Sequence, residues 1–345
     1  MVKTMTSLER VLTTLSFKEP DRVPFFLLLT MHGAKELGIS IKEYFSKHEY
    51  VVEGQLRLRE KYKHDCYYPF FYAGIETEAW GGEIIYSDDG PPNAGEPIIA
   101  KFDQIERFEA PKIKNNQPLQ KVLNAIEDLK SRIGNDAPII GVVMSPFSLP
   151  VMQLGFEKYL DLMIEHPALF NKLMAVNESF CVEWANAQIA AGATAICFFD
   201  PVSSTTIVTP EMYERTGFQI AKRVIAQIKG PTATHFASGR CLPIIPKVME
   251  TGTAIIGCSV EEDPQEIKFK CAGKLSMLGN LNGIEMRRWT SLEAKAKVKE
   301  LISLTAPGGG FILSDNHGEI PFQVPDEILM TISETVHTFG NYPIN

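Results

Sequence analysis

Two histidines stand where a strand-like run gives way to a turn. In Thr-Ala-Thr-His-Phe-Ala-Ser-Gly-Arg-Cys, residues 232–241, an extended stretch delivers His235. In Gly-Gly-Gly-Phe-Ile-Leu-Ser-Asp-Asn-His-Gly, residues 308–318, a glycine-rich turn and a short apolar run deliver His317. Asp200 follows the apolar run 193–199 in the same manner and opens an Asp-Pro pair. Parallel α/β sheets and barrels keep their chemistry just beyond the carboxyl ends of their strands. Two neutral imidazoles and a carboxylate converging there could hold Zn²⁺ with one position left for substrate. The same three residues, His235, His317 and Asp200, could instead bind a carboxylate-bearing substrate and move protons without a metal. Each could also be a hydrogen-bonded loop residue, Asp200 closing its own Asp-Pro turn.

Such placement needs a scaffold of strands. Apolar runs predict strands at 23–29, 66–70, 137–143, 193–199, 232–236, 254–256, 274–278 and 311–314. Helical periodicity starts at Ser7 and recurs at 40–63, 117–133, 156–191, 210–228, 243–251, 291–305 and 325–338, with a break near His166-Pro167, because proline disfavours helix at the residue before it. Parallel strands need crossover helices, and this alternation closes most naturally into a (β/α)8 TIM barrel, one domain over 1–345. The long stretch 76–103, rich in turn residues, exceeds what a plain connection needs and is expected to roof the mouth as an inserted loop. The catalytic rim then collects Thr30, Met31 and His32, Ser145, Asp200, His235, Cys258 and Ser259, Asn280, and His317. His32, Ser259 and Asn280 from this rim, with Glu78 from the inserted loop, are the candidate substrate-binding residues. Tyr67, Tyr68, Phe70, Phe71 and Tyr72 could wall a pocket, although such clusters are more often core.

At 345 residues, 45% hydrophobic and 22% charged, the chain is a globular protein. A net charge of -8 argues against nucleic acid or an anionic membrane as partner and favours a small molecule or a protein. Cys66, Cys181, Cys197, Cys241, Cys258 and Cys271 lack paired spacing and read as thiols of a reducing compartment. With no signal-like or spanning apolar segment, the expected location is the cytoplasm. The glycine run 308–310 lacks the Lys-Ser/Thr of a phosphate loop and precedes a strand, which argues against nucleotide binding.

Across nearly its whole length the sequence resembles the uroporphyrinogen decarboxylase superfamily, and within it the corrinoid-dependent methyltransferase branch. The resemblance rests on Glu19-Pro-Asp-Arg-Val-Pro, Glu78-Ala-Trp-Gly-Gly-Glu83, Asp200-Pro-Val-Ser-Ser, the strand carrying His235, Gly257-Cys-Ser-Val-Glu-Glu262, Leu278-Gly-Asn280 and His317-Gly. It implies a (β/α)8 barrel, zinc, and a methyl group exchanged with cobalamin carried by a separate corrinoid protein. The thiol-methylating members hold zinc by His-x-Cys and a later Cys. Here the histidine falls on His235, the paired cysteine position is Ala237, and the later one is His317, so Asp200 becomes the expected third ligand. Imidazole and carboxylate leave zinc more electrophilic than thiolates do, which suits loss of a methyl group from an ether, alcohol or amine. The alternatives are methylation of a thiol such as coenzyme M, and decarboxylation of a porphyrinogen. The decarboxylase's arginine-rich motif should follow the first strand, where this chain has Thr30-Met31-His32-Gly33-Ala34. A third possibility is a catalytically inactive scaffold that binds a corrinoid protein.

Overall fold

The computed structural model describes residues 4–344. A short antiparallel pair, β1 (Ile84–Ile85) and β2 (Asn93–Ala94), precedes a six-stranded parallel sheet of β3 (Ile140–Met144), β4 (Ala195–Phe199), β5 (Thr232–His235), β6 (Ile255–Gly257), β7 (Ser276–Leu281) and β8 (Phe311–Asp315), in that order. Helices follow each of these six and cover them from outside, so the strand residues are almost all buried.

The two remaining barrel positions are filled by extended segments, each making a single isolated bridge. Phe26 N–H donates to the Leu313 carbonyl (2.8 Å) and Leu313 N–H to that of Pro24 (3.0 Å), which sets residues 23–29 beside β8. Asp65 N–H donates to the Phe25 carbonyl (2.8 Å), and Tyr67 exchanges bonds with Pro138 and Ile140, which sets residues 65–68 between that segment and β3. The ring thereby closes as an α/β barrel. Regular strands were the sequence expectation at 23–29 and 66–70. Pro24 and Pro69 have no N–H to give, so a continuous ladder cannot form there.

An ionic clamp compensates at the amino-terminal end of these segments. Asp65 accepts from Arg22 Nη1 (2.6 Å) and Nη2 (2.9 Å), Arg10 Nη1 (2.8 Å), Ser7 Oγ (2.8 Å) and the Phe25 N–H (3.0 Å). Burial alone would raise its pKa, but Arg22 and Arg10 hold it below the usual carboxylate range. Arg10 also forks onto Asp21, through Nε (2.7 Å) and Nη2 (2.8 Å).

Local signals set the helix ends. Asn116 accepts from Leu119 N–H at the start of helix Gln117–Ile133, which Gly134 ends at φ +58. Thr290 and Glu293 form a reciprocal cap on Ser291–Thr305. The 156–191 region divides at His166-Pro167 into Phe156–Glu165 and Pro167–Ala191. The 40–63 and 210–228 regions also split, into Ile41–Tyr44 with His48–Tyr62 and Pro210–Arg215 with Gly217–Ile225.

The inserted stretch is anchored at its start. Helix Ile75–Ala79 buries Ile75, Glu76, Thr77 and Ala79, and Glu76 Oε1 accepts the Met144 N–H at the end of β3 (2.9 Å). Burial pushes the Glu76 carboxyl up to about 8, against that hydrogen bond. The part that carries β1 and β2 is more exposed.

Asp65→Asn should destabilise the protein by about 3–5 kcal/mol, because it leaves the buried Arg22 guanidinium without its anion and Arg10 with Asp21 alone. Denaturant unfolding checks this. A loss under about 1 kcal/mol would show that the clamp does not hold the closure.

Candidate active site

The register of β4, β5 and β6 places Phe199, His235 and Gly257 in one row at the carboxyl rim. The His235 ring is fully buried within it. Its centroid lies 4.9 Å from that of Phe199, and a Cβ on Gly257 would come within 2.4 Å of His235 Cδ2. Gly318, from the turn after β8, closes on the same spot: a Cβ there would lie 2.2 Å from Phe199 Cζ and 3.3 Å from His235 Cε1. Two glycines are thus required by close approach, one on each side of the imidazole.

His317 precedes Gly318, and the two imidazoles are near enough that charge on His317 disfavours charge on His235. Burial first, and that repulsion second, push His235 down to about 3. The half-buried His317 is lowered by burial as well. Both Nε2 atoms are buried and have no hydrogen-bond partner.

The tautomer of His235 follows from its neighbour. Ala237 sits in the left-handed region at φ +52, an uncommon conformation for a residue with a side chain, which costs about 1 kcal/mol. That conformation aims the Ala237 N–H at His235 Nδ1 (3.0 Å). A neutral imidazole that accepts at Nδ1 carries its proton at Nε2. The unpartnered atom is therefore a donor, whereas a metal would need its lone pair.

Asp200 is engaged elsewhere. Its Oδ1 accepts from Ser145 Oγ (2.5 Å) and Ser148 Oγ (2.8 Å) at the end of β3, while its backbone N–H reaches the His235 carbonyl (2.8 Å). Burial raises its pKa, opposed by the serine hydrogen bonds. Among the described residues no three of His, Cys, Asp and Glu form a group able to hold a metal ion. With two imidazoles, one of them presenting a proton, the residues present do not fit a three-ligand catalytic zinc.

The other sequence candidates are spread around the rim. His32 begins helix His32–Leu37, buried edge-on to Phe322 at 5.8 Å with both ring nitrogens unpartnered. Burial, then Lys35, pushes it down to about 3. Asn280 Nδ2 donates to the Ser259 carbonyl (2.7 Å), and Ser259 Oγ donates to the Ser238 carbonyl (2.8 Å), so these two brace the loops after β5, β6 and β7. Beside Asn280 opens a groove of about 790 Å³, bounded also by Glu262, Arg288, Trp289 and Lys297. Glu78, in the inserted stretch, accepts from Tyr72 Oη (2.5 Å), which precedes that stretch.

Sequence reasoning missed the acids on either side of His317. Asp315 Oδ2 accepts from the N–H groups of His317 and Gly318 (both 2.8 Å), whereas its buried Oδ1 has no partner. Glu319 accepts from Thr30 Oγ1. Burial pushes Asp315 up to about 6 and Glu319 to about 7. Asn316, between them in sequence, is buried with both amide atoms unpartnered. The alternation Asp-Asn-His-Gly-Glu directly after a strand was the available signal. Phe199, the last residue of β4, carried none.

The uroporphyrinogen decarboxylase (URO-D) family model matches residues 6–339. A uroporphyrinogen decarboxylase of Ralstonia pickettii is 23% identical, over 84% of this chain and 82% of its own. The methylcobamide:CoM methyltransferase MtaA of Methanosarcina barkeri is 26% identical over 55% of this chain and 57% of its own. Among solved structures, a methyltransferase from Methanosarcina mazei superposes with a TM-score of 0.83, covering 97% of this chain and 99% of its own at 19% identity. At that identity the likeness speaks for the fold.

His32, His64 and His235, each pushed down to about 3 by burial, should remain neutral from pH 8 to 5 in ¹⁵N-edited NMR, with the His235 proton on Nε2. Their folded pKa values lie below the ordinary 6.5, so the stability they contribute is present above about 6.5 and lost as pH falls toward 3. Titration of His235 near 6.5, or a proton on Nδ1, would contradict the assignment.

Proposed function

The chain belongs to the uroporphyrinogen decarboxylase family, and from that premise we propose that it is a methyltransferase, moving a methyl group from a small methylated substrate to the cobalamin of a separate corrinoid protein. The substrate class is the ether, alcohol or amine donor, an O-methyl compound being one example. Family membership makes the chain a member of an enzyme family whose similar relatives include both decarboxylases and a methyltransferase.

One observation carries the choice between them. The rim beside the histidines holds the buried carboxyl of Asp315 and the partly buried carboxyl of Glu319, and neither is in an ion pair among the described residues. A porphyrinogen bearing several carboxylates would meet acids there and no counter-charge, at a cost that desolvation makes larger. The segment after residue 29, Thr30-Met31-His32-Gly33-Ala34, brings no arginine to offset it.

The chain's own contribution to methyl transfer would be a fixed hydrogen-bond donor in a dry setting. As the methyl group leaves, the donor heteroatom keeps the bonding pair and becomes a stronger acceptor. His235 Nε2–H, held by Gly257, Gly318, Phe199 and the Ala237 N–H, suits that acceptor with little reorganisation. The reduced cobalamin of the partner supplies the nucleophile. Zinc, which the resemblance implies, enters no step of this reading.

The test mixes the protein with a reduced corrinoid protein and a methylated donor, and follows loss of the reduced corrinoid spectrum. Wild type should react, with chelator present as well as absent. His235→Ala should lower kcat by about 10²–10³, the usual effect of removing one preorganised donor. Release of carbon dioxide from a porphyrinogen, without any corrinoid reaction, would overturn the proposal.

A further inference from the structure

The two unpaired carboxyls share their wall of the rim with a run of aromatic rings. Tyr68 and Phe70 have centroids 5.7 Å apart, Phe70 stacks on Phe199 at 6.3 Å with 16° between planes, and Phe199 lies 4.9 Å from His235. Tyr68 Oη donates to the Gly318 carbonyl (3.1 Å), which joins this panel to the turn carrying Asp315, His317 and Glu319. The charges of Asp315 and Glu319 reach the Tyr68 hydroxyl, so rings and acids occupy one neighbourhood.

Among the described residues neither acid has a cationic partner. Asp315 is 1% exposed and its Oδ1 is unpartnered, as are both amide atoms of Asn316. Lys35, on the helix that starts at His32, is committed to Phe322: its ammonium donates to the Phe322 carbonyl and lies 4.3 Å from the ring centroid. Phe70, His317 and Glu319 are only partly buried, and through them the neighbourhood meets solvent.

We propose that this wall is a cation subsite, in which the Tyr68–Phe70–Phe199 panel and the carboxyls of Asp315 and Glu319 recognise the head group of a methylated ammonium donor. This rests on the rim being the methyl-donor site, and it narrows the donor from ether, alcohol or amine to the last. Aromatic faces attract quaternary ammonium groups, whose methyl groups spread the charge and leave no N–H that needs an acceptor. A buried acid without a counter-ion gains the missing partner when such a ligand enters. The subsite acts on affinity: methyl loss neutralises the nitrogen, so these contacts weaken as the reaction proceeds.

Calorimetric titration of the full chain with choline, and with its neutral isostere in which carbon replaces the quaternary nitrogen, tests the subsite without any turnover. Wild type should prefer choline by about tenfold or more, the scale of one or two desolvated cation–π contacts. Phe70→Leu and Glu319→Gln should each remove most of that preference while leaving the affinity for the isostere and the thermal midpoint nearly unchanged. Equal binding of the two probes by wild type, or a preference that survives in both folded variants, would overturn the subsite. The methyl-transfer reading fails separately. Choline bound with the expected preference but no donor demethylated in the corrinoid assay would sink that reading and leave the subsite standing. Demethylation of a neutral ether with no preference for choline would do the reverse.

Discussion

Asp65 is the group on which the closure of the barrel depends. Two of the barrel's extended segments carry a proline and cannot form a full ladder, and Asp65 lies at the amino-terminal end of both. A buried carboxylate is costly unless it is paired and hydrogen-bonded, and here two guanidinium groups, a hydroxyl and a backbone amide supply the pairing. The arrangement spans Ser7, Arg10, Arg22 and Asp65, and fixes the amino-terminal helix and two wall segments to one another. At the opposite end those same segments lead to Thr30, His32, Tyr68 and Phe70.

The rim is organised around an imidazole with almost no freedom. Phe199, Gly257 and Gly318 leave His235 one position, and the strained backbone of Ala237 leaves it one tautomer. These restraints are set during folding rather than at the moment of reaction, which is where the value of preorganised donors lies. They also explain why His235 at this place differs chemically from the zinc-ligand role expected from the family pattern. Ala237, standing where the family pattern has a paired cysteine, supplies a backbone N–H instead.

Much of the fold was legible because periodicity reports burial directly. The runs 193–199, 232–236 and 311–314 became β4, β5 and β8 within a few residues, and Gln117–Ile133 and Ser291–Thr305 have the expected ends, since their caps are written locally as Asn116 and Gly134 and as Thr290 with Glu293. The segments at 23–29 and 66–70 were harder, because their composition signals burial while Pro24 and Pro69 deny the hydrogen bonds. His235 and His317 could be placed at one rim from strand order alone. The direction of a side chain could not: Asp200 turns to Ser145 and Ser148, a choice made by tertiary neighbours more than fifty residues away in sequence. Asp315 and Glu319 were passed over for the same reason, since an acid after a strand looks like an ordinary turn residue until its missing counter-charge is seen.

His235, the proposed donor, and His317, whose charge reaches it from a strand far away in sequence, would act as one unit in methyl transfer. A double-mutant cycle on the corrinoid reaction measures this, using His235→Ala, His317→Ala and the double variant, each checked for an unchanged thermal midpoint. If the two act together, the double variant loses little more activity than the worse single one, because the first substitution already disables the unit. Losses that multiply, with the double variant slower by the product of the two single effects, would show independent roles and contradict the account.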